Sequence, residues 1–315
     1  MNPAYSVIFF TTASGAGYGL LTCIGLVGVF FGMPADRWFG LAVYAVALVL
    51  ITAGLLASTA HLGHPERAWR ALTQWRSSWL SREGVAAVLT YIPAGLAVIG
   101  WVLLGRNDGI LVWLAAIAAI LSIVTVFCTA KIYQSLRAIP RWNSPWVTPV
   151  YLGFALASGA LLFHLGVRAF GLDFPGIGWG AAIFMAAAWA LKLAYWRHID
   201  AAAPRSTAES ATGLGHLGKV RLFEAPHTGD NYLMREMGYK IARKHARRLR
   251  RIALVLGGVI PVILAVVATQ MPNLAGALVS LVAVISAGAG LLVERWLFFA
   301  EAVHAVSLYY GTDAV

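Results

Sequence analysis

Apolar runs long enough to cross a bilayer recur eight times along this chain, and that recurrence constrains its fold more than any motif it carries. They lie at roughly 5–31, 39–60, 85–104, 110–130, 149–170, 178–196, 252–270 and 274–293, each near the ~20 residues a helix needs to span the hydrocarbon core. In lipid every backbone polar group has to be paired within the protein, which leaves helices or closed barrels. Alternating strands of ~10 residues are absent, so the barrel drops out. The fold expected is all-α, a polytopic bundle of eight transmembrane helices. Composition agrees, with 60% of 315 residues hydrophobic and 12% charged, well away from soluble domains. The N-terminal MNPAYSVIFFTTASG has no basic region ahead of its apolar part. It reads as an uncleaved first span, and 1–315 as one membrane domain.

The net charge of +11 is unevenly spread: 61–84 carries +2, 131–146 carries +3 and 197–251 carries +7, while the connections near 36, 108, 173 and 272 are close to neutral. Eight spans put the three basic connections and both termini on one face, which the positive-inside rule makes cytoplasmic. Such a face suits anionic lipid or an acidic protein partner; no nucleic acid is expected to bind. Within the long connection 197–251, AAAPRSTAESATGLG is small and polar and reads as flexible. The middle, VRLFEAPHTGDNYLMREMGYK, has the aromatic, mixed-charge composition of an ordered contact surface. KIARKHARRLRR reads as a basic helix running into span seven, either a lipid anchor or a partner contact. After span eight, ERWLFFAEAVHAVSLYYG (294–311) is expected to continue helically, with Glu294 and Glu301 seven apart and therefore on one face. Either that helix projects beyond the bilayer, or its carboxylates face a polar interior.

One connection is unusually rich. HLGHPERAWRALTQWRSSWLSREG, residues 61–84, holds two histidines, four arginines, two glutamates and three tryptophans. Pro65 suits a first helical turn and Glu66 the positive end of the dipole. A helix over 65–80 would set Trp69, Leu72, Trp75 and Trp79 on one arc and Arg67, Arg70, Gln74, Ser77 and Ser78 on the other, an amphipathic helix in the interface. Arg76 falls on the wrong side. ALTQWRSSWLS (71–81) also parallels AIPRWNSPWVT (138–148), each just ahead of a span, which suggests a duplicated unit; tryptophan's general taste for interfaces gives the same pattern.

That reading leaves His61 and His64 at the end of span two and Glu83 at the start of span three. A histidine titrating near pH ~6.5 and a carboxyl group beside apolar walls are what a lipid-soluble quinone needs to exchange protons. The competing readings are an ordinary ion pair between Glu83 and Arg82 and purely structural histidines. His61 and His64 lack a third ligand, so no metal is expected. His164, inside span five, lacks a second histidine at the centre of another span, so no haem is expected either. The two cysteines, Cys23 and Cys128, form no cluster motif. Any electrons have to come from a partner.

These residues resemble the anchor subunits of DMSO-reductase-type molybdoenzymes, the DmsC family, in which a His-Leu-Gly-x-Pro stretch is followed by the glutamate of a Leu-Ser-x-Glu motif. Here these are His61, Leu62, Gly63 and Pro65, then Leu80, Ser81 and Glu83. The resemblance extends along essentially the whole chain. NPAYSVIFFTTASGAGYGLL, PHTGDNYLMREMGYKIA and ERWLFFAEAVHAVSLYY look more like the sulfite-oxidising (SoeC) branch than the DMSO-reducing one. It implies an eight-helix bundle without haem or cluster, in a bacterial inner membrane, bound to an iron-sulfur subunit with four clusters and to a molybdopterin catalytic subunit. It implies that His61 and Glu83 handle quinone, ubiquinone or menaquinone, as electrons pass from sulfite oxidised elsewhere in the complex. His64, Arg76, Trp79, Thr11, Thr12 and Tyr18 are weaker candidates for the same pocket, and Arg67, Arg70, Arg137 and Arg141 are candidates for docking the partner. The alternatives are a quinol-oxidising anchor of a DMSO reductase, a purely structural anchor, and a transporter with a polar site at the repeat interface.

Overall fold

The computed structural model describes residues 3–60, 62–172, 174, 176–224, 229 and 241–315. Its described residues contain eight helices of 23 to 27 residues that are apolar enough to cross a membrane. They are α1 (Tyr5–Phe30), α2 (Arg37–Thr59), α3 (Trp79–Val98, extended by a π-helical turn Ile99–Leu103), α4 (Ile110–Gln134), α5 (Val147–Ala169) and α6 (Ile177–Ala201). A short α7 (Ala208–Thr212) follows, then α8 (Ile241–Leu254), which runs through a π-helical turn (Val255–Val259) into α9 (Ile260–Thr269), and finally α10 (Asn273–Ala300).

The spans are apolar on every side, so residue size decides which side faces inward. α1 is the axial helix, with 67% of its span buried against 33% for α4. It meets α5 where both carry glycine: a Cβ on Gly19 would collide with the Ala155 carbonyl oxygen, and one on Gly159 with the Gly19 carbonyl carbon. Without a hydrophobic drive between helices in lipid, such close approach of small residues supplies the packing. Hydroxyl groups on α1 return their protons to the preceding turn, as Ser14 does to Phe10 O (2.6 Å) and Thr22 to Tyr18 O (2.8 Å).

The break between α8 and α9 has a local cause. Pro261 has no N–H to give the carbonyl of Gly257 four residues back. Trp189 of α6 supplies the missing donor, its indole N–H reaching Gly257 O at 2.7 Å. Ser286 of α10 does the same for Leu256 O at 2.7 Å, as a π turn in lipid requires.

On one face of the bundle, Arg141, Asp200, Arg250 and Glu301 form an ionic cluster. Glu301 accepts from Arg141 (3.0 Å) and Arg250 (2.6 Å), and Arg250 also reaches Asp200 at 2.5 Å. It ties together the α4–α5 connection, the end of α6, α8 and the end of α10.

Three expectations change here. The helix of span eight does not run on to 311. It ends at Ala300, and after a break a separate 3-10 helix, Ala305–Tyr310, follows, because the chain turns back and pairs Ala305 N with Ala138 O (2.9 Å). The stretch 201–215 is folded rather than flexible: Thr207 and Ser210 cap α7 reciprocally, and the C-terminus pairs with it through Arg205 N and Val315 O (2.8 Å). The segment after α2 is a 3-10 helix, Pro65–Gln74, and not one helix to residue 80; Trp79 opens α3. At three residues per turn, Trp69, Leu72 and Trp75 fall in line, as do Arg67, Arg70 and Thr73. Leu72 packs over Gly84 of α3. Arg82 fixes the turn that follows, donating to Trp75 O (3.0 Å) and Arg76 O (2.7 Å).

The basic helix at KIARKHARRLRR is present as α8, and the contact surface expected at 220–240 falls mostly outside the described residues. Of the repeat, Trp79 and Trp146 hold like places at the starts of α3 and α5. Trp75 is exposed, whereas Trp142 is buried and donates to Phe298 O at 2.9 Å.

Candidate functional site

Glu83 lies one turn into α3, about 6 Å from the helix start, and is only 4% exposed. Its Oε1 accepts from the hydroxyl of Thr129 on α4. It has no ion pair among the described residues. Arg82, its neighbour, faces outward and stacks on Trp79 at 4.3 Å, so the ion pair considered from sequence does not form. Tyr18 of α1 is buried within electrostatic reach of Glu83 and Tyr91, with its hydroxyl against that of Thr125.

Thr129 also forms part of a cavity of about 20 Å3, with Thr11 and Thr12 of α1, Tyr151 and Ser158 of α5, and Arg295 of α10. That is room for about one water. The guanidinium of Arg295, 3% exposed, stacks on the Tyr151 ring at 3.8 Å. The Tyr151 hydroxyl also lies within hydrogen-bonding reach of that guanidinium. Behind it Glu294 pairs with Arg295 (3.4 Å) and with Lys192 of α6, and both Glu294 and Lys192 are fully buried. Lys192 also rests against Tyr195 (4.3 Å) and Trp196 (5.1 Å). A chain of contacts therefore runs from the Glu83 carboxyl, through Thr129 and a small cavity of mixed hydroxyl and apolar lining, to two cations sharing one carboxylate.

Of the sequence candidates, Glu83, Thr11, Thr12 and Tyr18 come together. His64 does not: it is exposed and bonds Glu66 at 3.0 Å. Arg76 is exposed on the turn after the 3-10 helix. Trp79 packs on Phe127 (5.9 Å) at the outer end of α3. His61 lies outside the described residues. Arg67, Arg70 and Arg137 are exposed, as a docking role needs, while Arg141 belongs to the ionic cluster around Glu301. His164 is buried farther along α5, against Gly178, and does not join the site. Sequence reading missed Thr129, Lys192 and Arg295. The available signal was charge within apolar runs, WALKLAYW and LLVERWLFF, since an ionisable residue inside a span points to function by default. Glu294 and Glu301 do share a face, and that face is interior.

Chemically, a buried carboxyl group with a hydroxyl as partner can take up and release a proton, and the adjoining cavity can orient a small polar group. No iron or haem ligand set stands near it among the described residues.

A family model described as DMSO reductase anchor subunit (DmsC) matches residues 1–311. The protein is 34% identical, across its full length and all of its relative's, to a sulfite dehydrogenase subunit of Allochromatium vinosum. It is 32% identical to a polypeptide of the anaerobic dimethyl sulfoxide reductase of Escherichia coli, over 44% of its own length and 47% of the relative's. With the polypeptide of the same description from Haemophilus influenzae it shares 27% over 50% of its own length and 57% of the other's. No solved structure matches.

Proposed function

The chain belongs to the DMSO reductase anchor subunit (DmsC) family, and from that footing we propose that it is the quinone-reactive anchor of a sulfite-oxidising complex. Glu83 carries the reading. A carboxyl group is kept in the bilayer, without a cation, mainly where it moves protons or holds a ligand. The direction of flow is taken from the full-length likeness to a sulfite dehydrogenase subunit.

Sulfite and water give sulfate, two protons and two electrons at a molybdopterin partner subunit. An iron-sulfur partner with four clusters carries the electrons to the face on which α3 begins. There quinone takes both electrons and two protons and leaves as quinol. The anchor supplies the binding site and the proton path: His61 and Glu83 address the quinone carbonyl groups, Thr129 orients the Glu83 carboxyl, and Tyr18 closes the wall. Arg67, Arg70 and Arg137 on the same face dock the iron-sulfur subunit. The face is the cytoplasmic one of a bacterial inner membrane, by the charge of its loops. The matches to dimethyl sulfoxide reductase polypeptides favour a second reading with the same site run in reverse, quinol feeding electrons to DMSO.

The test is to purify the complex from detergent-solubilised membranes and assay sulfite-dependent quinone reduction beside quinol-dependent DMSO reduction. Sulfite activity that disappears in His61→Ala with subunits still assembled is the expected result. DMSO activity alone reverses the direction, and full activity in both His61→Ala and Glu83→Gln leaves only a structural anchor.

A further inference from the structure

The basic helix α8 meets α6 through Arg250, and its arginines divide by direction. Arg250 turns inward to Asp200 and Glu301 and lies over the Trp196 ring at 5.0 Å. Arg247, Arg248 and Arg251 are exposed, and among the described residues none of the three forms an ion pair. From Arg247 every fourth residue is exposed through α8, the π-helical turn and α9, namely Arg251, Val255, Val259, Ile263 and Val267. Rows of this spacing form one ridge on a helix. The ridge is charged at one end and aliphatic for the rest of its length. From Arg251 to Thr269, the last residue of α9, is about 27 Å at ~1.5 Å per residue, close to the ~30 Å of a hydrocarbon core.

α6 ends in the same way. Trp179, Ile183, Ala186, Ala190, Leu193 and Arg197 are all exposed and recur at alternating steps of four and three residues, so they share one face. Trp179 and Arg197 stand about 27 Å apart along it, an aromatic anchor at one membrane interface and a cation at the other.

We propose that Arg197, Arg247, Arg248 and Arg251 bind the phosphate groups of anionic phospholipid in the leaflet at the charged face. A basic helix beside a membrane invites either lipid or a protein partner, and placement selects lipid. These cations continue helix faces that are apolar over one bilayer thickness, so their guanidinium groups stand at headgroup depth on the side where acyl chains lie. A subunit docking onto the end of the bundle meets the connections 61–84 and 131–146 instead, which carry the exposed Arg67, Arg70 and Arg137. Arginine suits the ligand, because its planar fork donates two hydrogen bonds to a phosphate and its aliphatic stem lies along apolar surface. A zwitterionic lipid offers the same phosphate with a compensating ammonium, so the selection is by net charge.

The complex, delipidated in detergent, is titrated with phosphatidylglycerol or phosphatidylcholine, and bound lipid is counted by mass spectrometry of the intact assembly. Expected in the parent is a preference for phosphatidylglycerol of about tenfold or more. It should fall to near parity when Arg197→Gln, Arg247→Gln, Arg248→Gln and Arg251→Gln are combined, and persist in Arg67→Gln with Arg70→Gln. An unchanged preference in the fourfold variant overturns the site, and loss of the iron-sulfur subunit alongside it would assign the surface to a protein partner. A parent that binds both lipids alike overturns it too. Should the fourfold variant fail to assemble, the unaltered complex is exposed to phosphatidylglycerol bearing a photoreactive headgroup. Adducts within 193–201 or 244–255 support the site, and adducts confined to 61–84 or 131–146 overturn it.

Discussion

Glu83 and Glu294 are both buried carboxyl groups in spans, and their partners make them answer differently to the same substitution. Glu83 bonds a hydroxyl, so Glu83→Gln keeps size, shape and the contact with Thr129 while losing the titrating proton. We expect sulfite-dependent quinone reduction to fall about 10²-fold, the scale of general acid–base contributions, with partner subunits still co-purifying. Loss of assembly would make Glu83 structural. Glu294 stands between Lys192 and Arg295, and there the arithmetic of charge decides. Glu294→Gln leaves two cations side by side in the bundle, which costs about 3–5 kcal/mol by the measure of broken buried pairs. Lys192→Met leaves a neutral Glu294–Arg295 pair and costs less. Thermal melting of the detergent-solubilised protein checks the order, with Glu294→Gln melting lowest; the reverse order would mean that Glu294 is already neutral.

At the scale of helices, close approach is concentrated at a few glycines. Gly19 and Gly159 put the backbones of α1 and α5 in contact, and a side chain at either meets backbone, not a flexible neighbour. Gly95 of α3 and Gly15 of α1 have open space where a Cβ would go. Gly159→Val should therefore lower the melting temperature sharply, by overpacking worth upward of ~3 kcal/mol, while Gly95→Ala stays within ~1 kcal/mol of the parent or gains by its better helix propensity. Equal tolerance at both would show that α1 and α5 slide apart without loss. The eight helices were legible because hydropathy summed over ~20 residues is a long-range signal that few local choices can disguise. Their ends were not. Ser81, Arg82 and Glu83 interrupt the apolar run, so the third span reads as starting at 85, yet α3 begins at Trp79 because Thr129 on another helix receives the carboxyl group. The 3-10 form of Pro65–Gln74 was hidden likewise, since its amphipathic pattern suits an α-helix and its actual hold is Leu72 seated over Gly84. Glu83, Thr11, Thr12 and Tyr18 could be nominated from residue type; Arg295 and Thr129 needed the packing of α4 and α10 against α1.

For the whole molecule, the charged face divides into arginines held in the buried ionic cluster and arginines exposed with little company among the described residues. Arg141 and Arg250 belong to the first group, sharing Glu301, which is 5% exposed, with Asp200 at the rim. Arg67, Arg70 and Arg137 belong to the second. Among the described residues Arg67 has only the weak company of Glu66 at 3.6 Å, and Arg70 only the Trp69 ring at 5.7 Å. If this face docks an acidic partner, the two groups separate by experiment. Arg67→Glu with Arg70→Glu should leave the melting temperature of the isolated anchor near the parent's, because surface pairs are worth about 0–1 kcal/mol, and should weaken retention of the iron-sulfur subunit. Arg141→Ala should do the opposite, lowering the melting temperature while retention holds. Salt gives an independent reading. Exposed charges across an interface are screened beyond about 10 Å at ~0.1 M ionic strength, so the partner should dissociate progressively as salt rises, and the rise needed should be smaller in the Arg67→Glu, Arg70→Glu variant. Retention that is indifferent to salt and to that double substitution would move the docking surface away from the 3-10 helix. The bundle's hold on its partner would then have to be apolar.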